Sequence, residues 1–436
     1  MSLTGRWLAI GLFGLSLIVL HGVGLFFQTQ GNFDGVIDIM LAEGVVYLAA
    51  VGCLGRVDSS RATLLVILAI ALLLRIVTLA LPPYLSSDIY RYIWDGRVQA
   101  AGINPYRYIP ADDALAALRD SAIYPNINRA TYAHTIYPPA AEMLFFLVTR
   151  VSEQLTAMKL AMLAFDLATI GLILSLLRNT GAPLSRVLIY AWHPLGVWEI
   201  AGSGHIDAAM IFCLALALLA RQRGWLGSSG IALALGTLVK FLPVTAAPAL
   251  YRRRDWRMPT AFVATIVVLY LPYLAVGKGA LGFLPVYLQE ERLTSGSGFY
   301  LPSLVSFLTG IDLPAGPYLA VAAAILGAAA LFVLFRRSGA QQDAVNGALI
   351  LALVFFLLVT PHYPWYFLWL LPLLCLQPWW PAILLTAMAS ALYFVLEERS
   401  AARELLVNSV LYGAFLLAVG IQLCVHRRQP AMARQA

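Results

Sequence analysis

Residues 82–96, PPYLSSDIYRYIWDG, separate a long apolar segment from the longest polar segment of the chain, residues 83–138. The two prolines at the start end the preceding helix, because proline lacks the amide hydrogen that a helix interior needs. Ser86 and Ser87 are good N-cap residues for a new helix, and the pattern predicts that this helix runs to Gly102. Because most of the remaining chain is apolar, we expect polar chemistry to collect here.

The predicted helix carries polar residues spaced three or four apart, which places them on one face: Asp88, Arg91, Tyr92, Asp95 and Gln99. Asp88 lies in the first turn, where the helix dipole favours an ionised carboxylate. A charged carboxylate held on a short helix at a membrane surface suits a general base. Asp95 follows two turns later, about 10.5 Å along the axis at about 1.5 Å per residue, so the two carboxylates cannot share one proton. We expect an Arg91–Asp95 ion pair instead.

The composition excludes an ordinary soluble protein. Of 436 residues, 61% are hydrophobic and 12% are charged, and the mean hydropathy is +0.80, which leaves too little charge to cover a water-exposed surface. Apolar runs of about 20 residues recur, and these are typical of transmembrane helices. We predict an all-α polytopic integral membrane protein, with one domain over residues 1–436 and about 13 or 14 membrane segments. The first segment, residues 7–27, lacks a small-residue cleavage pattern, and we expect a retained span.

Basic residues predict the orientation, since Lys and Arg are enriched in cytoplasmic loops. Arg6 precedes the first apolar segment, and Arg56 and Arg61 lie between the second and third, whereas residues 28–34 contain neither Lys nor Arg. We therefore expect a cytoplasmic N-terminus and an outer location for residues 83–138. In a cell (inner) membrane, this places the polar segment on the periplasmic or extracellular side. The net charge of +7 then reports orientation, and we expect no nucleic-acid partner.

A second candidate is Lys240. The arginines at residues 221–223 and 252–254 can both be cytoplasmic only if residues 228–251 form a hairpin, and Lys240-Phe241-Leu242-Pro243 is the natural break. Lys240 then faces the same outer side as Asp88. A lysine there suits a phosphate ligand as a point charge, although snorkelling to the interface explains such a lysine equally well.

Two more predicted outer junctions, residues 192–207 and 361–366, combine polar and aromatic side chains. Aromatic rings suit stacking on sugar rings, but Trp and Tyr also mark membrane interfaces for physical reasons alone. Inside the apolar runs, we expect Arg75 and Asp166 to pair with each other or with other helices. The junctions supply four candidate binding residues: His205, Asp207, His362 and Tyr363.

Metal and nucleotide motifs are absent from the sequence. The four cysteines show no CxxC spacing, HExxH does not occur, and Ser86-Ser87-Asp88 offers one acid where a DxD motif would offer two. We expect no metal site, no disulfide framework and no cofactor, although the carboxylates leave a divalent cation open. The chain has no P-loop and no glycine-rich dinucleotide motif, which argues against an ATP-driven transporter and against a Rossmann-type nucleotide-sugar enzyme.

Several short motifs occur in a fixed order along residues 80–250: SDIYRY at 87–92, GINPY at 102–106, IYPP at 136–139, GHIDA at 204–208 and KFLP at 240–243. In this order, the chain resembles the GT-C superfamily of polyprenyl-phosphate-sugar-dependent glycosyltransferases. Within that superfamily, it is most similar to glycosyltransferase family 87 and the related glycosylphosphatidylinositol mannosyltransferase I family. The two additional N-terminal spans depart from the minimal family pattern.

The resemblance implies an outward-facing transferase that uses a lipid donor, polyprenyl-phosphate mannose, and a lipid or glycan acceptor among membrane lipids. Asp88, in the outer catalytic loop 83–138, would remove the acceptor proton, and the β linkage of the donor would invert to α. Lys240 would bind the donor phosphate, with Arg292 or Arg91 as further partners. The expected substrate-binding residues are Tyr92, Asp95, His205, Asp207, His362 and Tyr363.

Two other functions are consistent with the same composition. A transporter or flippase of a lipid-linked sugar would also place an acid and a lysine within the membrane, but such proteins often contain internal repeats, and none is visible here. A purely structural scaffold would leave Asp88 and Lys240 without a role. Arabinose, glucose or another hexose could replace mannose.

Overall fold

The computed structural model describes residues 3–54, 60–335, 340–398 and 400–432, with side chains described within residues 10–425 of these ranges. Arg56, used above to predict the orientation, lies outside the described residues. Helices, turns and loops make up this part of the chain, which contains no β-strand. The prediction of an all-α protein is therefore confirmed.

The described residues form twenty α-helices, joined by several short 3₁₀ segments and one π-helical segment. The first ten α-helices are α1 (Leu3–Thr29), α2 (Phe33–Gly52), α3 (Arg61–Leu79), α4 (Asp88–Ala100), α5 (Pro139–Val151), α6 (Leu155–Thr180), α7 (Leu188–Ala191), α8 (Pro194–Gly196), α9 (Asp207–Gln222) and α10 (Leu226–Val239). The others are α11 (Ala247–Leu250), α12 (Arg257–Tyr270), α13 (Leu284–Glu290), α14 (Tyr300–Thr309), α15 (Ala315–Phe335), α16 (Gln341–Val359), α17 (Leu371–Leu376), α18 (Trp380–Met388), α19 (Tyr393–Glu397) and α20 (Ala401–Met432).

Nine helical segments of the described chain are long and apolar enough to cross a membrane: Ile10–Thr29, Phe33–Gly52, Arg61–Leu79, Leu155–Thr180, Arg257–Glu290, Ala315–Phe335, Gln341–Val359, Trp380–Glu397 and Ala401–Val425. A bent pair, Pro194–Gly202 with Asp207–Gln222, raises the number to ten if it acts as one span. The chain is thus a multi-pass membrane protein. The sequence-based count of 13 or 14 is higher because it treats short apolar helices such as Leu226–Val239 and Pro364–Leu376 as full spans.

The polar segment after α3 folds as predicted, with a helix that starts at Asp88 and ends at Ala100. This helix, α4, packs closely against α5. A Cβ atom at Gly96 would lie 2.6 Å from the Phe145 carbonyl oxygen and 2.5 Å from the Thr149 hydroxyl. The close approach holds α4 firmly against α5.

Two backbone breaks bring polar side chains to the end of the membrane helices. The first is a 120° bend before α9, where Gly204 has a φ of +73°, a conformation that other residues rarely adopt. The second follows α10, which ends at Val239, and Lys240 has an extended backbone there. The break at Lys240 was expected from the sequence, and this prediction is confirmed.

Arg75 and Asp166, inside α3 and α6, satisfy each other as predicted. Both are buried, and Arg75 Nε donates to Asp166 Oδ2. Tyr190 OH donates to the other carboxylate oxygen over 2.6 Å, and Arg75 Nη1 donates to the Ala191 carbonyl over 2.7 Å. This charged cluster is therefore part of the helix packing and remains apart from the candidate site.

Candidate active site

A cavity of about 520 Å³ lies where residues 83–138, which we call the outer segment after their predicted location, meet the breaks after α10 and α16. We call it the Asp88 cavity. Its volume falls within the range of about 300–1,000 Å³ that is usual for small-ligand sites. The charged or chargeable lining side chains include Asp88, Arg91, Arg129, His134, Lys240, Glu291 and His362, and the aromatic lining includes Tyr137, Tyr287, Tyr363, Trp365 and Tyr366. The tertiary fold thus brings Asp88 and Lys240 to one cavity.

Asp88 is held at the cavity by one residue that precedes it in the chain, Ser86, and by one that follows it, Asn128. Its backbone amide donates to Ser86 Oγ over 3.2 Å, which satisfies one of the free amides at the start of α4. Asn128 Nδ2 donates to Asp88 Oδ1 over 2.7 Å, which orients the carboxylate. Asn128 was not apparent from the sequence, because it lies in a loop forty positions away with no periodic pattern around it.

Lys240 is anchored by a buried carboxylate at the start of α9. Its Nζ atom lies 2.8 and 2.9 Å from the two Asp207 carboxylate oxygens and 4.3 Å from the centre of the Tyr366 ring. Asp207 is fully buried, while the Lys240 side chain is 19% exposed. The ammonium therefore has a fixed counter-ion behind it and an aromatic face beside it, and it lines the Asp88 cavity.

His205 and Asp207 lie behind the cavity wall and support the residues that form its surface. The His205 ring is buried and stacks on Trp365 with a distance of 4.2 Å between ring centres. Its Nε2 atom lies 3.4 Å from Glu199 Oε2. Because Trp365 lines the cavity and His205 does not, His205 positions an aromatic wall residue, just as Asp207 positions Lys240.

Glu291 is the centre of the opposite wall. It is almost completely buried and accepts hydrogen bonds from Tyr363 OH and from His362 Nδ1, each over 2.7 Å. His362 Nε2 lies 2.7 Å from the Gly298 carbonyl oxygen. Burial lowers the pKa of His362, but the hydrogen bonds to Glu291 and the Gly298 carbonyl outweigh it and the net pKa is raised. Since both ring nitrogens face acceptors, His362 fits a protonated imidazolium.

The predicted ion pair on α4 is confirmed. Arg91 Nε lies 2.8 and 2.9 Å from the two carboxylate oxygens of Asp95, and Arg91 Nη1 donates to the Ala133 carbonyl over 3.1 Å. Arg91 lines the cavity, but Asp95 and Tyr92 are buried beneath it. Tyr92 stacks on Phe145 with 4.5 Å between ring centres. These two residues hold α4 in place and do not reach the cavity surface.

A further buried carboxyl group near α4, Glu142 on α5, was not identified from the sequence. Thr135 Oγ1 donates to Glu142 Oε1 over 2.6 Å, and Gln99 Nε2 donates to Oε2 over 2.9 Å. Burial raises the pKa of Glu142 well above its usual range, and the nearby Asp95 charge raises it further. Glu142 therefore links α5 to α4 and to the loop before α5 through hydrogen bonds.

Arg292 differs from its predicted place as a phosphate partner of Lys240. The structure turns this side chain away from the Asp88 cavity, and Arg292 Nη2 donates to Glu404 Oε2 in α20. The local reason is a turn in which Arg292 adopts a φ of +58°. Glu291 consequently faces the Asp88 cavity, while its neighbour Arg292 faces a different one.

The charges around the Asp88 cavity combine two oriented carboxylates, Asp88 and Glu291, with several fixed cations. Such an arrangement can accept a proton at Asp88 and stabilise negative charge near Lys240. Within the ranges that the structure describes, no group of three or more His, Cys, Asp or Glu side chains is placed to hold a metal ion.

Comparisons with known proteins agree with this architecture. The chain is 24% identical over 251 residues to a protein of Mycolicibacterium smegmatis named polyprenol-phosphate-mannose-dependent alpha-(1-2)-phosphatidylinositol pentamannoside mannosyltransferase, a match that covers 55% of this chain and 59% of the relative. No solved structure shows significant similarity. The model of glycosyltransferase family 87 matches residues 135–361, a segment that contains Asp207 and Lys240 and starts after Asp88. Because this segment is just over half of the chain, the protein belongs to glycosyltransferase family 87.

Proposed function

We propose that the protein transfers a sugar, mannose in the simplest case, from a polyprenyl-phosphate donor to an acceptor hydroxyl. Family membership and the name of the mycobacterial relative support a lipid-linked sugar donor. The observation that carries the proposal is the meeting of Asp88 and Lys240 in one cavity at the end of the membrane helices. Neither residue is near the other in sequence, so this meeting is a property of the fold.

In the proposed reaction, Asp88 takes the proton of the acceptor hydroxyl as its oxygen attacks the anomeric carbon of the donor sugar. The bond between that carbon and the phosphate oxygen breaks, and polyprenyl phosphate leaves with the electron pair. Attack from the face opposite the leaving group inverts the β linkage to α. Asn128 orients the base for this step, because it donates to Asp88 Oδ1 over 2.7 Å and leaves the other carboxylate oxygen for the proton.

The leaving phosphate gains negative charge in the transition state, and fixed cations stabilise that charge without further rearrangement. Lys240 is the proposed phosphate ligand because its ammonium is already oriented by Asp207 and Tyr366. Arg91 lines the same cavity and adds positive charge beside Asp88. A phosphate leaving group needs these cations more than it needs a general acid.

The positive-inside pattern supports an outer location for this chemistry, in a cell (inner) membrane with the Asp88 cavity on the periplasmic or extracellular side. In that arrangement the isoprenoid chain lies in the bilayer and only the phosphate and sugar enter the cavity. The acceptor is a glycolipid or glycan at the same surface. We propose that no metal is required, since the cations of the site already belong to the chain.

The test uses purified protein in nanodiscs with radiolabelled polyprenyl-phosphate mannose and a membrane lipid extract. Asp88→Asn keeps an oxygen that can accept the Asn128 hydrogen bond, so the fold should persist while transfer falls about 10²–10⁴-fold. Asp113→Asn is the matched control, because Asp113 is exposed in a 3₁₀ turn of the same outer segment. Equal sugar transfer by both variants would show that Asp88 is not the general base. Movement of intact donor between leaflets without sugar transfer would favour a flippase.

A further inference from the structure

A second cavity, of about 550 Å³, adjoins the Asp88 cavity. We call it the Arg292 cavity. It lies between residues 292–299, α14 and the first two turns of α20, and its polar lining includes Arg292, Ser303, Ser306, Asp312, Glu404 and Asn408. Nothing in the proposed chemistry at Asp88 uses these side chains.

Side chains that line the two cavities meet in the wall between them. Glu291 and His362 face the Asp88 cavity, while Arg292 and Glu404 face the Arg292 cavity. His362 Nε2 and Glu404 Oε1 are 3.8 Å apart across this wall, and Arg292 donates to the same Glu404 carboxylate. A ligand that extends from one cavity to the other would therefore pass over two ion-paired residues.

Asn408 gives this cavity a polar atom that needs a partner. The residue is 3% exposed, and its Nδ2 atom donates to the Glu404 carbonyl over 3.0 Å. That bond assigns the amide orientation, since only the nitrogen can donate to a carbonyl. Asn408 Oδ1 then has no hydrogen-bond partner among the described residues. A buried acceptor left unsatisfied is costly, so a donor supplied by a ligand is expected at this position.

The charge of the lining indicates which ligand class fits. Arg292 is outnumbered by two carboxylates, Asp312 and Glu404, whereas Arg91, Arg129 and Lys240 outnumber the carboxylates that line the Asp88 cavity. A phosphate is therefore favoured in the Asp88 cavity and disfavoured in the Arg292 cavity. Serine hydroxyls and carboxylate oxygens instead accept hydrogen bonds from a neutral polyhydroxyl compound.

We propose that the Arg292 cavity binds the non-reacting sugar residues of a carbohydrate acceptor, whose reactive hydroxyl reaches into the Asp88 cavity. This inference rests on the proposed glycosyl transfer. Asn408 Oδ1 accepts a hydrogen bond from one sugar hydroxyl, and Ser303 and Ser306 contact others. The charge of each lining separates the two substrates. The anionic donor occupies the Asp88 cavity, and the neutral acceptor glycan occupies the Arg292 cavity, whose lining has a net negative charge.

The first measurement is photoaffinity labelling with a diazirine-bearing α-linked trimannoside, performed on full-length Asp88→Asn protein so that the probe is not consumed. Excess unlabelled trimannoside serves as the competitor, and labelled peptides are mapped by mass spectrometry. We expect competable label within residues 292–309 or 401–408. Competable label confined to other segments, or no competable label, would overturn the inference.

Variants test the orphan acceptor directly. Asn408→Leu should lower competable labelling about three- to tenfold, the value of one hydrogen bond to a ligand hydroxyl. Ser303→Ala provides a second variant with little risk to folding, because the Ser303 hydroxyl makes only a 3.4 Å contact with the Ser297 carbonyl. Asn179→Leu is the matched control, since Asn179 is exposed at the end of α6 and pairs with Gln222. Unchanged labelling in both Asn408→Leu and Ser303→Ala contradicts the proposal.

The transfer assay with wild-type protein separates this inference from the proposed function. Labelling in the Arg292 cavity without any sugar transfer would support a carbohydrate site there and would contradict the proposed transferase function. Transfer with an acceptor KM that is unchanged by Asn408→Leu would retain the transferase and remove the Arg292 cavity as its acceptor site.

Discussion

The pair Lys240–Asp207 allows the structural and the chemical roles of Lys240 to be measured separately. Lys240→Met keeps the apolar stem but removes the ammonium, which leaves a fully buried Asp207 carboxylate without its cation. In the double variant, Asp207→Asn also removes the carboxylate charge that has lost its partner. We predict that the double variant regains stability but does not regain activity, because only Lys240 faces the cavity.

The magnitudes follow from the geometry. At the observed distance of 2.8 Å, two unit charges attract by about 6 kcal/mol at an effective dielectric constant of about 20. Removing one partner of a buried pair typically costs about 3–5 kcal/mol, while removing both costs much less. Lys240→Met should therefore lower the Tm by roughly 3–5 °C, and the double variant should recover most of this loss. Loss of one charge-stabilising donor should still reduce kcat by about 10²–10³-fold in both variants.

Thermal unfolding of the detergent-solubilised protein, followed by tryptophan fluorescence, gives the stability, and mannose transfer from polyprenyl-phosphate mannose gives the activity. Asp207→Asn alone completes the cycle and reports how strongly the two sites are coupled. If the double variant recovers both Tm and kcat, Lys240 merely neutralises Asp207 and its assignment as the phosphate ligand is refuted.

Three further predictions concern residues 83–138 and the residues packed against them. Glu142→Gln should preserve the Tm near pH 7, because burial disfavours the charged carboxylate and raises the pKa of Glu142, and the amide of glutamine is neutral. Between its usual pKa and the raised one, unfolding releases a proton, so wild-type stability falls as pH rises. Glu142→Gln should flatten this slope in the pH range above the usual pKa of glutamate. Asn128→Leu removes the 2.7 Å hydrogen bond to Asp88 and should lower kcat about tenfold with the donor KM unchanged. Gly282→Ala should abolish docking of the outer segment, because its Cβ would lie 1.9 Å from the Thr135 carbonyl oxygen at a φ of +56°.

Each of these predictions has an opposing result. An unchanged pH slope in Glu142→Gln would show that Glu142 is ionised in the folded protein. A higher donor KM with normal kcat in Asn128→Leu would assign Asn128 to substrate binding. Wild-type Tm and protease resistance in Gly282→Ala, measured beside Gly316→Ala, whose Cβ meets nothing within 4 Å, would show that the segment can move to accept a side chain.

Much of the architecture could be predicted from residue order alone. Apolar runs of membrane length, the proline stop before the outer segment and the first-turn position of Asp88 are local properties, and each is confirmed. The Arg91–Asp95 pair is local as well, since i and i+4 residues are neighbours on any helix. The break at Lys240 was also accessible, because arginines on both flanks of one apolar run require a hairpin.

Other features depend on contacts between segments that are far apart in the chain. Asn128, Glu142 and Glu291 have no periodicity that distinguishes them from ordinary loop or helix residues, and their roles arise only from the partners that folding places beside them. The sequence also could not separate lining residues from supporting ones, so His205, Asp207 and Tyr92 were expected at a surface that they support from behind.

Arg292 shows the limit most clearly. Its charge suited a phosphate ligand, but a turn with positive φ directs it to Glu404 and leaves Glu291 on the other side of the wall. Helix formation and membrane insertion are decided by local hydrophobicity and hydrogen bonding, which the sequence contains. Which cavity a side chain faces is decided by a single backbone rotation and by helix packing, which only the tertiary structure determines.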